Sequence, residues 1–185
     1  MILVVAATDF EAALAEGLAG TRTVVCGIGP VEAALATERA LAQSRPAALL
    51  QIGIAGARTL PDASVVIGSE SVYADVIDPQ ARIPRVERVE PDAGLVAAAR
   101  RALPEAHVLP IATTARVGGG AMCDVEAMEG FGVLRAASIA GVPALELRAV
   151  SNPVAERDRD RWRIDDALVA LRDALPPVLE VLARA

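Results

Sequence analysis

An α/β domain is the fold class this sequence predicts, and three observations carry the prediction. Val, Ile and Leu gather in short runs separated by longer Ala-rich stretches, the way strands alternate with helices. Hydrophobic residues make up 54% of the chain and aromatic ones only 2%, so a core exists and must be built from aliphatic side chains. The 185 residues fit a single domain, 1–185, with no internal repeat and no interdomain linker.

The first strand is expected at Ile2–Ala6, an apolar run that meets Asp9 and Glu11 at once and so reads as a buried strand, not a secretion signal. A helix over Asp9–Gly17 and a strand over Thr23–Cys26 follow. Gly27-Ile28-Gly29 then turns the chain into a helix over Val31–Gln43. Strands at Ala48–Ile52 and Ser64–Ile77 come next. The first of them leads into Gly53-Ile54-Ala55-Gly56-Ala57, which taken alone reads as a tight turn. Asp78–Pro91 carries three prolines and several charges and reads as a surface connection. A helix over Asp92–Ala102 and a strand over His107–Thr113 precede Ala115-Arg116-Val117-Gly118-Gly119-Gly120, a stretch expected to be a mobile loop. The remaining elements are a helix over Val125–Ala140, a strand over Ala144–Ser151 and a helix over Asp165–Ala183. Pro176-Pro177 should kink or divide that last helix.

Composition narrows the chemistry. All 18 basic residues are Arg, so a Walker A lysine, a Schiff base and a pyridoxal phosphate anchor are excluded. One histidine, His107, excludes a His-rich zinc site, and it reads as structural. Cys26 and Cys123 are too few for a disulfide framework and read as buried small hydrophobes. A formal charge of −6 argues against nucleic acid as a partner, and no apolar run approaches the ~18 residues of a membrane span. The expected setting is cytoplasmic, and the chemistry must rest on carboxylates, amides and backbone, with no metal and no cofactor.

In open α/β sheets ligands bind beyond the carboxyl ends of strands, and Thr8–Glu11, Gly53–Ala57 and Ser151-Asn152 all fall there. Gly27-Ile28-Gly29 is half of a dinucleotide fingerprint, but Glu32 stands where its third small residue belongs, so a plain strand-to-helix turn is the better reading. Glu11 sits in a first helical turn, where the helix dipole favours a carboxylate even without a function. Glu129 lies among apolar neighbours beside Gly130 and Gly132, glycines that imply close approach of another group. Glu126, one turn earlier, reads as facing solvent. Asn152 is the chain's one asparagine and ends a buried strand before Pro153. Arg157–Arg163 reads as a solvated charge run in which Trp162 suggests docking, and Met122 and Met128 read as core or pocket lining.

Five segments together resemble the nucleoside phosphorylase and nucleosidase family: Ala7-Thr8-Asp9-Phe10-Glu11, Cys26-Gly27-Ile28-Gly29-Pro30, Gly53-Ile54-Ala55-Gly56, Met128-Glu129-Gly130 and Arg148-Ala149-Val150-Ser151-Asn152. Val125-Glu126-Ala127-Met128-Glu129-Gly130 and Ser151-Asn152-Pro153-Val154, with Arg157-Asp158 and Trp162, look like its futalosine hydrolase branch. The resemblance implies a central twisted mixed β-sheet flanked by helices and assembly as a dimer or larger homo-oligomer. It also implies a nucleoside substrate: Glu11 would activate water, Glu129 would hold the ribose hydroxyls and Asn152 would contact the purine. Ile54, Ala55, Met128 and Ser151 would complete the substrate site. Ala115–Cys123, which in the family helps cover the base, has no aromatic residue, so Phe131 or a second subunit is expected to close that side. The chemistry fits independently, because N-glycosidic cleavage passes through an oxocarbenium-like state that needs a base for water and a held sugar. Two alternatives stand beside it: a methylthioadenosine/adenosylhomocysteine nucleosidase, and a nucleotide-binding domain without turnover.

Overall fold

The computed structural model describes residues 1–76, 80, 85–118 and 122–184. Along the chain the elements are β1 (Ile2–Ala6), α1 (Asp9–Ala12), β2 (Thr21–Val25), α2 (Pro30–Gln43), β3 (Ala48–Ala57), β4 (Val65–Tyr73) and β5 (Arg88–Val89). There follow α3 (Ala93–Ala102), β6 (His107–Thr113), β7 (Val125–Ala127), α4 (Gly130–Ala140), β8 (Ala144–Pro153) and α5 (Ile164–Leu182), with one 3₁₀ turn at Arg159–Arg161 before α5.

Alternation along the strands explains the layers. In β1, Ile2, Val4 and Ala6 point into one core with Leu171, Leu175 and Leu179 of α5 and Leu95 of α3. Leu3 and Val5 point the opposite way, into a second core with Ala33 and Leu41 of α2 and Val133 and Leu134 of α4. A fully two-sided strand needs apolar residues at every position, which is why β1 reads as a continuous run.

The described strands form one eight-stranded mixed sheet in the order β2-β1-β3-β7-β6-β4-β5, with β8 bridging β3 and β4. β3 pairs in parallel with β1 and β8 and antiparallel with β7. Since β4 pairs with both β6 and β8, the strands β3, β7, β6, β4 and β8 close into a ring. Sheet closure brings residues from distant parts of the chain to one rim.

Several expectations change here. Gly53–Ala57 is not a turn: it continues β3 in register with β8, from Gly53 opposite Arg148 to Ala57 opposite Pro153, with a register shift between Ala55 and Gly56. β8 likewise runs through Ser151-Asn152 to Pro153, so the site lies along extended strand tails rather than on turns beyond them. Val125–Ala127 is strand, not the start of a helix, and pairs with β6 and β3. α1 stops at Ala12, where the chain passes into turns. Pro176-Pro177 does not divide α5; the carbonyls that lose their helical partners belong to Arg172 and Asp173, both exposed where water can bond them. Of the Asp78–Pro91 connection, residues 80 and 85–91 are described and include β5, while Asp78, Pro79 and residues 81–84 lie outside the described residues, as does Ile77. Gly119 and Gly120 of the expected loop also lie outside them.

Candidate active site

A cavity of about 380 Å³ opens at the rim where α1, β3, β7 and β8 converge, within the range of small-molecule pockets. Glu11, Ile54, Ala55, Met128, Glu129, Ser151 and Asn152 all line it. The fold therefore brings together every residue that the resemblance placed in the substrate site.

Glu11 is fixed by the start of its helix. Thr8 caps α1, and the Glu11 carboxylate returns to the cap: Oε2 accepts from the Thr8 amide at 3.1 Å and from its hydroxyl at 2.7 Å. Its Oε1 accepts from the Ile54 amide on β3 at 3.0 Å. Glu11 is buried, yet it borders the cavity.

Glu129 follows β7 directly and precedes α4. Its Oε1 accepts from the Gly29 amide at 3.2 Å, so the amide at the start of α2 already binds a protein carboxylate. That arrangement counts against a dinucleotide phosphate at this turn. Its Oε2 receives Arg148 Nη2 at 3.4 Å. Arg148, on β8, is buried; its Nε donates to Glu146 Oε1 at 3.0 Å and its Nη1 to the Ile54 carbonyl at 3.4 Å.

Two glycines make this charged cluster possible. A Cβ on Gly53 would overlap Arg148 Nη1 and lie 2.9 Å from Glu11 Oε1. A Cβ on Gly130 would overlap the carboxylate of Glu146. The close approach expected at Gly130 is therefore that of Glu146. Gly132 instead lets α4 reach the Pro30 carbonyl of α2.

Burial pushes the Glu146 carboxyl above its ordinary range, with Arg148 pulling partly back. Desolvation works against the charge on Arg148, but Glu146, Glu129 and Glu11 outweigh it and hold the guanidinium above its usual value. Cys26 beneath the site is pushed up to about 12, first by burial and then by Glu129, and so stays a neutral thiol.

On the other wall, Ser151 Oγ donates to Asn152 Oδ1 at 2.8 Å and Asn152 Nδ2 donates to the Pro153 carbonyl at 2.9 Å. One N–H and one lone pair of the amide remain for a ligand. Beyond it, the Arg163 amide donates to the Ser151 carbonyl at 2.7 Å and folds the Arg159–Trp162 segment over the mouth. Arg159 and Trp162 both line the cavity, so this segment is part of the site, not merely a solvated charge run.

Three further corrections concern side chains, the first being that Met122 is 64% exposed and neither core nor part of the cavity lining. Glu126 does not face solvent: it is buried on β7, lines the cavity, accepts from the Gly118 amide at 2.5 Å and pairs with Arg58 at 3.4 Å. Phe131 does not close the pocket, because it stacks on Tyr73 at 4.9 Å within the core. The aromatic residues that reach the cavity are Phe10 and Trp162. His107 is exposed at the start of β6, away from these residues. No group of three His, Cys, Asp or Glu side chains among the described residues could hold a metal ion. Nor is any described helix long and apolar enough to cross a membrane.

Residues 15–123 match the model of the phosphorylase superfamily. The chain is 69% identical over 58 residues to a futalosine hydrolase of Streptomyces coelicolor, covering 30% of this chain and 25% of that protein. Over 55 residues it is 46% identical to a futalosine hydrolase of Thermus thermophilus, covering 30% and 24%. The aligned stretches thus span about a quarter of these curated relatives. Among solved structures, a futalosine hydrolase mutant of Helicobacter pylori superposes with a TM-score of 0.87 at 18% identity, covering 97% of this chain and 98% of that one. A methylthioadenosine/adenosylhomocysteine nucleosidase of Colwellia psychrerythraea in complex with adenine gives 0.87 at 21%, covering 98% and 95%. At such identities the structures establish the shared fold.

Proposed function

The chain belongs to the phosphorylase superfamily, and from that premise we propose that it hydrolyses the N-glycosidic bond of futalosine and releases hypoxanthine. The observation that carries the reading is that Glu11 and Glu129, from opposite parts of the chain, meet around one buried guanidinium on the wall of one cavity.

In this reading Glu11 takes a proton from water as the water attacks the anomeric carbon, and its negative charge faces the positive charge growing on the sugar. Held by Thr8 and Ile54, the carboxylate is oriented before substrate arrives, which removes the entropic cost of placing it. Glu129, fixed by Gly29 and Arg148, accepts hydrogen bonds from the 2′- and 3′-hydroxyls. Ile54, Ala55 and Met128 pack against the sugar and the base. Asn152 offers its free N–H to O6 of the purine and its carbonyl to a protonated N7, with Ser151 holding the amide in place. These steps call on no cofactor or metal.

Hydrolysis is favoured over phosphorolysis because the wall from Gly53 to Ala57 presents Ile54 and small residues. Arg58, the nearest cation in sequence, bonds the Cys123 carbonyl and Glu126. The apolar rim near the mouth supports a homo-oligomer: Ile28 is 62% exposed, Val31 and Leu35 are each 64% exposed, and the last two stand one helical turn apart on α2. A second copy would cover that rim, and light scattering on the purified protein tests it. Unpaired thiols and an acidic surface fit a cytoplasmic setting.

Incubation with futalosine, methylthioadenosine and inosine, with released bases resolved by chromatography, tests the function. Hypoxanthine from futalosine is the expected result. Preferential release of adenine from methylthioadenosine would install the adenine-directed nucleosidase instead, and tight binding of futalosine without base release would leave a non-catalytic nucleoside-binding domain.

A further inference from the structure

The arginines flanking the cavity mouth are not alike. Arg161 pairs with Glu156 at 3.4 Å and Arg163 with Asp166. Arg159, two residues before Arg161, pairs with no carboxylate among the described residues. Its guanidinium lies over the ring of Trp162, 5.6 Å from the centroid, and both side chains line the cavity. In a chain with 24 acidic residues against 18 arginines, an arginine left without an acidic partner at a pocket is available to an anion from outside.

The neighbouring groups say what kind of anion. Trp162 is half-buried and its Nε1 donates to the Glu156 carbonyl at 3.2 Å, which fixes the indole at the cavity wall. Phe10, Ile28 and Ile164 line the same cavity. A planar apolar group ending in a negative charge would lie along that lining and meet the guanidinium, whose fork matches a carboxylate. The cation–π stack holds the guanidinium above the ring before any ligand arrives.

We propose that Arg159 and Trp162 form a subsite for an aromatic carboxylate carried on the 5′ carbon of the nucleoside, with the ring against Trp162 and the carboxylate on Arg159. This rests on the reading under Proposed function, which places the base at Asn152 and the ribose at Glu129 and leaves the mouth for the 5′ arm. Futalosine carries such an arm, ending in a benzoate; methylthioadenosine carries a small neutral one. The subsite therefore discriminates between the two on the sugar side, separately from the base.

The test compares futalosine with its neutral carboxamide in the wild type, Arg159→Ala and Trp162→Leu. Two readouts are taken: kcat/KM for base release, and calorimetric affinity in a Glu11→Gln background. The wild type is expected to favour the carboxylate by about 10-fold, and added salt should shrink that ratio. Arg159→Ala should bring the ratio to about one. Trp162→Leu should weaken both ligands and leave a carboxylate preference. An equal ratio in wild type and Arg159→Ala overturns the subsite. Turnover without discrimination defeats the subsite and leaves the hydrolase standing. Discriminating binding without turnover by the wild type defeats the hydrolase and leaves the subsite standing. No binding of either ligand overturns both.

Discussion

Replacing Glu11 with Gln probes the site at its most constrained point. Three donors converge on the carboxylate: the Thr8 amide and hydroxyl on Oε2 and the Ile54 amide on Oε1. A glutamine amide has one acceptor end, so its NH₂ must face a backbone N–H whichever way it turns. One bond is lost and one buried N–H is left unpaired, a cost of about 1–3 kcal/mol. At ~2–4 °C per kcal/mol for a chain of this size, the melting temperature should fall by several degrees. The loss of a proton acceptor should cost turnover far more, ~10²–10⁴-fold in kcat, while futalosine still binds because Glu129 and Asn152 are untouched. Calorimetric melting, calorimetric binding and chromatographic assay of hypoxanthine at saturating futalosine separate these effects. A variant that melts lower but keeps near-wild-type kcat would refute the reasoning and reduce Glu11 to the capping-box partner of Thr8.

Other expectations follow from single atoms. Gly53→Ala adds a methyl where Arg148 Nη1 and Glu11 Oε1 already crowd; a stability loss of about 1–3 kcal/mol and a fall of ~10²-fold in kcat/KM, read by denaturant melts and rate assays, are expected. Asn152→Asp turns an acceptor toward the Pro153 carbonyl and toward O6, so the kcat/KM ratio for futalosine over its 6-amino analogue should move toward the amino compound by tens-fold; an unchanged ratio in a folded variant would remove Asn152 from base selection. Glu146 holds its proton more tightly folded than unfolded, chiefly through burial, so its contribution is complete below the ordinary carboxyl range and is lost as pH rises through its folded value. Unfolding free energy should decline with pH across that window, and Glu146→Gln should flatten the decline. Cys26, pushed up to about 12 by burial and then by Glu129, should resist iodoacetamide at pH 8 until the protein is unfolded, as peptide mass spectrometry can show.

The elements most legible in the sequence are compact apolar strands. Ile2–Ala6 and His107–Thr113 coincide with β1 and β6 because apolar runs have clear edges. β7 was hidden because three residues are too few to show a period of two, and Val125, Met128 and Gly132 also fit a helical spacing. Gly53–Ala57 looked like a turn because glycine usually punctuates, whereas Gly53 is small to admit Arg148 and Glu11, a contact no local pattern displays.

The cavity residues from Glu11 to Asn152 were legible as short motifs recurring in family order. Glu146 and Arg148 did leave a signal: opposite charges two apart in an otherwise apolar strand share a face, and burial forces them to pair. Glu126 escapes sequence reading because a helix over Val125–Ala140 lets it face solvent, whereas the strand β7 that actually forms there buries it. Arg159 was concealed by its own neighbours, since a run of alternating charges does not reveal which member lacks a partner.

The central claim is that water, not phosphate, cleaves the bond between ribose and a 6-oxopurine in this cavity. The most direct measurement incubates the purified protein with futalosine, with and without inorganic phosphate, and quantifies the base and the sugar product together. The account predicts hypoxanthine and free sugar in equal amounts at a rate phosphate does not change. A sugar 1-phosphate product, or intact futalosine beside a folded protein, would contradict it.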